Sequence, residues 1–152
     1  MMKIFNSDFE MKLRILLLLS QTKRALSREE IVHLDFITIY SADFGIGEEN
    51  LHGDNNFKYG EFASRLELAW AAIKQLVVEG LVSVVTKDGF SYKISAAGLQ
   101  YTNALESAYS AEYRDTARKV IQQYSNYSEK EIRSEIDKKA IESARRMKSC
   151  TI

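Results

Sequence analysis

Proline is absent from this 152-residue chain, and cysteine occurs once, at Cys150. The absence of proline favours helix, because proline removes a hydrogen bond from a helix interior. A single cysteine cannot form a disulfide within the chain, and it excludes zinc sites built from several cysteines. Basic and acidic side chains are equal in number, at 21 each. A strongly basic nucleic-acid-binding protein is therefore not the first expectation.

Long apolar segments are also missing. The leucine-rich run Ile15–Leu19 falls far short of the roughly 20 residues that a membrane-spanning helix requires. Charged residues at positions 8, 10, 12 and 14 precede this run, and no clear small-residue cleavage site follows it, which distinguishes it from a secretion signal. We therefore expect an intracellular, cytoplasmic protein with no membrane association.

The spacing of apolar residues predicts a mostly helical chain. Three helices are predicted at about residues 8–20, from residue 27, and at 59–79, and a hairpin with an Asp88-Gly89 turn follows them. Three further helices are predicted at about residues 95–105, 109–124 and 128–147. Capping boxes begin at Ser27 and Ser128, and Asp8 is the expected N-cap of the first helix.

Three helices followed by a two-stranded hairpin is the order of a winged helix-turn-helix. We therefore predict a mostly α fold with a small β-hairpin wing. Residues 1–107 would form the winged-helix domain, and residues 108–152 would form a helical C-terminal extension.

Residues 41–58 interrupt the helical pattern, since glycine, aspartate and asparagine crowd this stretch. Loops of this length are often functional. Phe44, Leu51 and Phe57 are expected to anchor the loop by burial. The loop would then present an ordered acidic surface that binds a partner through charge complementarity. The predicted partner-binding residues are Asp43, Glu48, Glu49, His52 and Asp54.

No pattern in the chain predicts catalysis. The loop acids lack the spacing of a calcium-binding loop, and neither His33 nor His52 has a second histidine or a cysteine partner for zinc. No glycine is followed by lysine, which excludes a P-loop. We therefore expect a protein that is not an enzyme and uses no cofactor or metal. The alternative among enzymes is a small metal-dependent enzyme whose site is built on residues 43–54.

DNA reading by the third helix is a second alternative. Its predicted outer face includes Arg65 and Lys74 but also Glu61, Glu67 and Glu79, so it would attract phosphate weakly. About 18 residues separate the second and third helices, whereas the turn of a DNA-binding helix-turn-helix has roughly 3–4. A winged-helix transcription regulator is therefore the alternative function.

The C-terminal part of the chain is mildly basic. Residues 112–152 contain 10 basic and 7 acidic residues, whereas residues 1–80 contain 9 and 12. The last helix has a narrow apolar stripe flanked by cations, so it would fit a partner's groove or contact DNA without sequence preference. The candidate DNA-contacting residues are Lys138, Lys139, Arg145, Arg146 and Lys148.

Several short segments resemble a known family. They are Phe5–Glu10, the leucine-rich stretch Leu13–Leu19, the loop sequence Asn50–Asp54, and Tyr59–Glu61. Over about residues 5–120, the chain is similar to the middle component of ABC-three-component systems, a family similar to the small subunit of Lamassu-type defence complexes. The resemblance implies a non-catalytic winged-helix adaptor that bridges an SMC/Rad50-like ATPase and an effector nuclease in bacterial defence. Any DNA contact would be non-specific and made through the complex.

Overall fold

A computed structural model describes residues 7–53 and 58–150 of the chain. Its elements follow the predicted order, a mostly helical chain with one small antiparallel hairpin. The helices are α1 (Asp8–Ser20), α2 (Arg28–Ile39), α3 (Lys58–Val78), α4 (Ala96–Asn103), α5 (Ala108–Gln123) and α6 (Glu129–Cys150), and the strands are β1 (Val82–Val85) and β2 (Ser91–Ile94). Among the described residues, no helix is both long enough and apolar enough to cross a membrane.

Serine side chains begin several of these helices. The Ser27 hydroxyl accepts from the Glu30 amide at 3.1 Å, and the Glu30 carboxylate accepts from the Ser27 amide at 3.1 Å, so the predicted capping box is confirmed. Ser128 and Glu131 form the same arrangement. The N-cap of α1 is Ser7, because Asp8 already lies in the first helical turn; the prediction of Asp8 as the cap was wrong.

α2 lies at the centre of the fold. Every residue from Ile31 to Ile39 is buried, because α1, α3, α5 and α6 all pack around this helix. The surrounding helices each contribute a narrower stripe to the same core. These stripes include Ala69, Ile73 and Leu76 of α3, Tyr113, Ala117 and Val120 of α5, and Ile132 and Ile136 of α6. The C-terminal helices therefore share one core with the first three, and a boundary at residue 107 stays a prediction.

The hairpin pairs through backbone hydrogen bonds with the segment that connects α1 to α2. Its loop places Asp88 and Gly89 at φ angles of 55° and 100°, a left-handed conformation that costs glycine little. The strands pair antiparallel in a register that places Val84 opposite Tyr92. Tyr92 also exchanges two backbone hydrogen bonds, of 2.9 and 2.7 Å, with Leu26. The hairpin is thereby fastened to the residues that lead into α2.

Candidate partner-binding surfaces

The segment that follows α2 folds back against the core. It begins with a 3₁₀ helix at Ser41–Phe44. The Asn50 side-chain oxygen accepts from the Ala42 amide at 2.9 Å, and the Leu51 amide donates to the Ile39 carbonyl at 3.0 Å. These bonds connect the end of the segment back to the end of α2 and to the 3₁₀ helix, so the segment forms a closed loop.

Two of the predicted anchors hold this segment to the core. Phe44 and Leu51 are half-buried and pack against the core cluster. The Phe44 ring meets the buried Phe36 ring edge-on, with their centroids 6.5 Å apart. The third predicted anchor, Phe57, lies outside the described residues. Burial of aromatic and leucine side chains therefore attaches the segment to the fold, as the sequence predicted.

The Asp43 carboxylate makes contacts within the protein. It lies 2.5 Å from the Lys58 ammonium and accepts hydrogen bonds from the Tyr59 hydroxyl at 2.9 Å and the Asn50 amide at 3.1 Å. Partial burial works against the charge of Asp43, but these three donors outweigh it, and the pKa of Asp43 is lowered. Asp43 therefore connects the loop to the start of α3, and its negative charge is already matched by a cation.

His52 also faces inward, since its side chain is 2% exposed. Its Nε2 atom lies 2.9 Å from the Tyr109 hydroxyl and 3.5 Å from the Glu10 carboxylate. The Tyr109 hydroxyl in turn donates to the same Glu10 oxygen at 3.2 Å. Burial raises the pKa of Glu10, and it raises the pKa of Tyr109 as well. His52 thus fastens the loop to α1 and α5.

A wholly buried ionic cluster lies next to this contact. The Arg14 guanidinium donates to both carboxylate oxygens of Asp35, at 3.0 and 3.1 Å, and the Tyr113 hydroxyl donates to the same carboxylate at 2.6 Å. Burial opposes the ionisation of Asp35, but Arg14 and Tyr113 outweigh it, so the pKa of Asp35 is lowered. The cluster joins α1, α2 and α5. Sequence reasoning missed it, although a charged residue within each of two apolar helices was a signal for it.

The outward acids of the loop are fewer than predicted. Glu48 and Glu49 are exposed, whereas Asp43 and His52 make the internal contacts described above. Asp54 lies outside the described residues. The structure thus places Asp43, Glu48, Glu49 and His52 on one segment, and of these four only Glu48 and Glu49 face solvent. Their binding of a partner stays a prediction.

Three of the predicted DNA-contacting residues of α6 face solvent. Lys138, Arg145 and Arg146 are exposed, while Lys139 is partly buried and lies 3.6 Å from the Glu142 carboxylate. The side chain of Lys148 is outside the described set. These cations extend along one helix and are interleaved with acids, an arrangement typical of a solvated face as well as of weak phosphate contact.

The outer face of α3 differs from the one predicted. Arg65 is only 7% exposed, and it donates to the Tyr40 hydroxyl at 3.2 Å instead of facing solvent. On the described side chains of α3, Lys74 is the cation that stays exposed, and the acids Glu67 and Glu79 are exposed beside it. The predicted contribution of Arg65 to a DNA-reading face was wrong, because its side chain is buried, with the guanidinium carbon 5.6 Å from the centroid of the Tyr40 ring.

Comparison with known proteins identifies the family of this chain. A family model described as ABC-three component (ABC-3C) system Middle Component 2 matches residues 4–146. The chain belongs to this family. Membership implies that this middle component works with protein partners. No curated protein and no solved structure matches the chain. Within residues 7–53 and 58–150 of this middle component, no group of three or more His, Cys, Asp or Glu side chains is placed to hold a metal ion.

Proposed function

We propose that this middle component is a non-catalytic winged-helix adaptor in a cytoplasmic defence complex similar to Lamassu. It joins an SMC/Rad50-like ATPase to an effector nuclease and takes no cofactor. Membership in a three-component family supports the proposal, because such a component acts by assembling with others. The order of α1, α2, α3 and the hairpin supports the winged-helix interpretation.

The surface around α3 and the hairpin is the observation that carries this proposal. Among its described side chains, the exposed cations Lys74, Lys87 and Lys93 are equalled in number by the exposed acids Glu67, Glu79 and Asp88, so it attracts phosphate weakly. Several large apolar side chains are exposed there instead. They are Val78 at 86%, Phe90 at 68%, Val84 at 39% and Val85 at 37%. Four large apolar side chains are thus open to solvent on these elements, which suit a protein partner better than DNA.

The test is reconstitution with the ATPase and nuclease subunits of the same system. Size-exclusion chromatography with light scattering should show one three-component complex, and the ATPase and nuclease should not associate without the middle component. Val84→Glu with Phe90→Glu should weaken assembly, whereas Ser83→Glu with Thr86→Glu, an equal charge change at exposed polar positions of the same hairpin, should not. Tight, sequence-selective DNA binding by the isolated chain would instead support a transcription regulator.

A further inference from the structure

A groove of about 550 Å³ lies between the α1–α2 connection, the end of α5 and the start of α6. Pockets that hold a ligand or an anchoring side chain have roughly this size, 300–1,000 Å³. The groove takes no part in the loop contacts or in the α3–hairpin surface described above. Its walls come from elements that are distant in sequence, so the fold itself creates it.

The floor of the groove is apolar. The apolar side chains that line it are Leu26, Leu34, Ile121, Tyr124 and Ile132. Leu26, Leu34, Tyr124 and Ile132 are buried and Ile121 is half-buried, which fixes the shape of the floor. The Tyr124 ring already packs edge-on against Tyr127 at 4.8 Å. It is therefore not an open platform on which a nucleic-acid base could stack.

The rim of the groove is basic. Lys23, Arg24 and Arg118 line it, and no carboxylate is among the residues that line it. Arg24 is 2.7 Å from Glu30, and Arg118 is paired with Asp115, so both are partly neutralised. Lys23 is exposed and makes no ion pair with any residue that the structure describes. The opening therefore combines an apolar floor with a net positive edge.

We propose that this groove binds an acidic segment of one of the other two components. The segment places an apolar side chain on the floor and carboxylates against Lys23 and Arg118. An apolar anchor surrounded by complementary charge is the usual composition of a specific interface. The proposal deepens the adaptor function and rests on it, since it names the chemistry by which one partner is recognised.

The first experiment locates the occupant in the assembled three-component complex. A photoreactive amino acid replaces Gln122, an exposed residue at the groove, and a matched variant carries it at Gln100, which is exposed on α4. Irradiation should cross-link position 122, but not position 100, to a peptide of another component that contains acidic residues and an apolar residue. A cross-link to a basic or uncharged peptide, or none, would overturn the proposal.

The second experiment measures the affinity of that peptide, synthesised with a fluorescent label. Lys23→Glu with Arg118→Glu should weaken its binding to the full chain at least tenfold, and raising the salt concentration should reduce the difference. Lys87→Glu with Lys93→Glu, a charge reversal of equal size on the exposed hairpin, should leave the affinity unchanged. Equal losses in both pairs would show only a general charge effect and would contradict a specific groove.

The two experiments separate this proposal from the adaptor function. If the complex assembles but the groove cross-links nothing, the adaptor function stands and the groove proposal fails. If the three components do not assemble at all, both fail. A small anion that co-purifies in the groove and blocks the labelled peptide would also contradict a peptide site.

Discussion

Two aspartates, Asp35 and Asp43, are held in the same way in two different regions. Each carboxylate contacts one cation and accepts from one tyrosine hydroxyl, Arg14 and Tyr113 for Asp35, Lys58 and Tyr59 for Asp43. The first cluster lies in the helical core, where the side chains of Arg14 and Asp35 are 0% and 10% exposed. The second lies at the edge, where those of Lys58 and Asp43 are 6% and 18% exposed and Asn50 donates a further bond to Asp43. The two clusters therefore compare a core position with an edge position.

Burial determines what each cluster can do. In the core, a carboxylate and a guanidinium have lost nearly all their hydration, so each depends on the other. The Asp35 cluster therefore defines how α1, α2 and α5 fit together. At the edge, water compensates part of any lost contact. The Asp43 cluster therefore sets the conformation of the loop without determining the fold.

The largest expected effect comes from removing the buried carboxylate charge. Asp35→Asn removes the carboxylate charge that lies 3.0 Å from the buried Arg14 guanidinium, while the Glu10 carboxylate stays 3.5 Å from it, so the free energy of unfolding should fall by about 3 kcal/mol. Urea denaturation followed by circular dichroism measures the loss. The control is Asp115→Asn on the exposed face of α5, which also removes a carboxylate from an arginine pair and should leave the midpoint unchanged.

A triple substitution shows whether the loss comes from the disrupted charge pair. Arg14→Met with Asp35→Leu and Tyr113→Phe replaces the pair, and the buried hydroxyl that donates to it, by apolar groups, and it should recover most of the stability that Asp35→Asn loses. If the triple variant is no more stable than the single one, the cluster acts through its specific hydrogen bonds, and the comparison of the two clusters must be revised.

A smaller effect is expected at the edge. Asp43→Asn should lower the free energy of unfolding by about 1–2 kcal/mol, because the Lys58 ammonium loses a charged acceptor at 2.5 Å, at an edge where the Asp43 side chain is 18% exposed. Lys58 keeps contacts with the rings of Tyr40 and Tyr59, at 5.3 and 5.6 Å. Hydrogen exchange should rise in residues 41–53 and stay unchanged in α2. Exchange that rises equally in α2 would show that the edge cluster also supports the core.

Local patterns predicted most of the helices and the hairpin, because capping boxes and the Asp-Gly turn depend on residues a few positions apart. The two clusters were beyond such reasoning. Arg14 is 21 residues from Asp35, and Tyr113 is 78 residues further on, so only the packing of three helices brings them together. Asp43 was interpreted as a surface charge because acids in polar loops are usually exposed. Its partner Lys58 lies at the start of another helix, which no local pattern reveals.

His33 is a third buried titratable group, which can be compared with Asp35 and Asp43. It lies on α2, is 7% exposed, and stacks on Phe62 with ring centroids 5.6 Å apart. Burial lowers the pKa of His33, and the nearby charge of Arg133 adds to this. The imidazole of His33 therefore binds a proton more readily in the unfolded chain than in the folded protein. The free energy of unfolding should consequently fall as the pH drops below about 6.5.

The His33 effect can be separated from that of the aspartates by pH. Asp35 and Asp43 have lowered pKa values, so the stability that they contribute is present above about pH 4 and is lost only at more acidic pH. His33→Phe keeps the aromatic stack and should remove the decline between about pH 6.5 and pH 5. Thermal melts of the two proteins across this range test it, and parallel curves would assign the decline to another group.

The smallest effect on stability is expected where the loop faces solvent. Glu48→Gln with Glu49→Gln should leave the melting temperature unchanged, because exposed charges contribute little to folding. His52 is left intact in this variant, since its buried contacts with Tyr109 and Glu10 would confuse a binding defect with a folding defect.

If the loop binds a basic partner surface, assembly of the three-component complex should weaken, and the weakening should be greatest at low salt, where unscreened charge matters most. Glu106→Gln with Glu112→Gln, two exposed acids near the start of α5, serves as the matched control. Equal assembly of both variants at low salt would contradict the predicted role of the loop, because its two outward acids would then be no different from any other exposed charges.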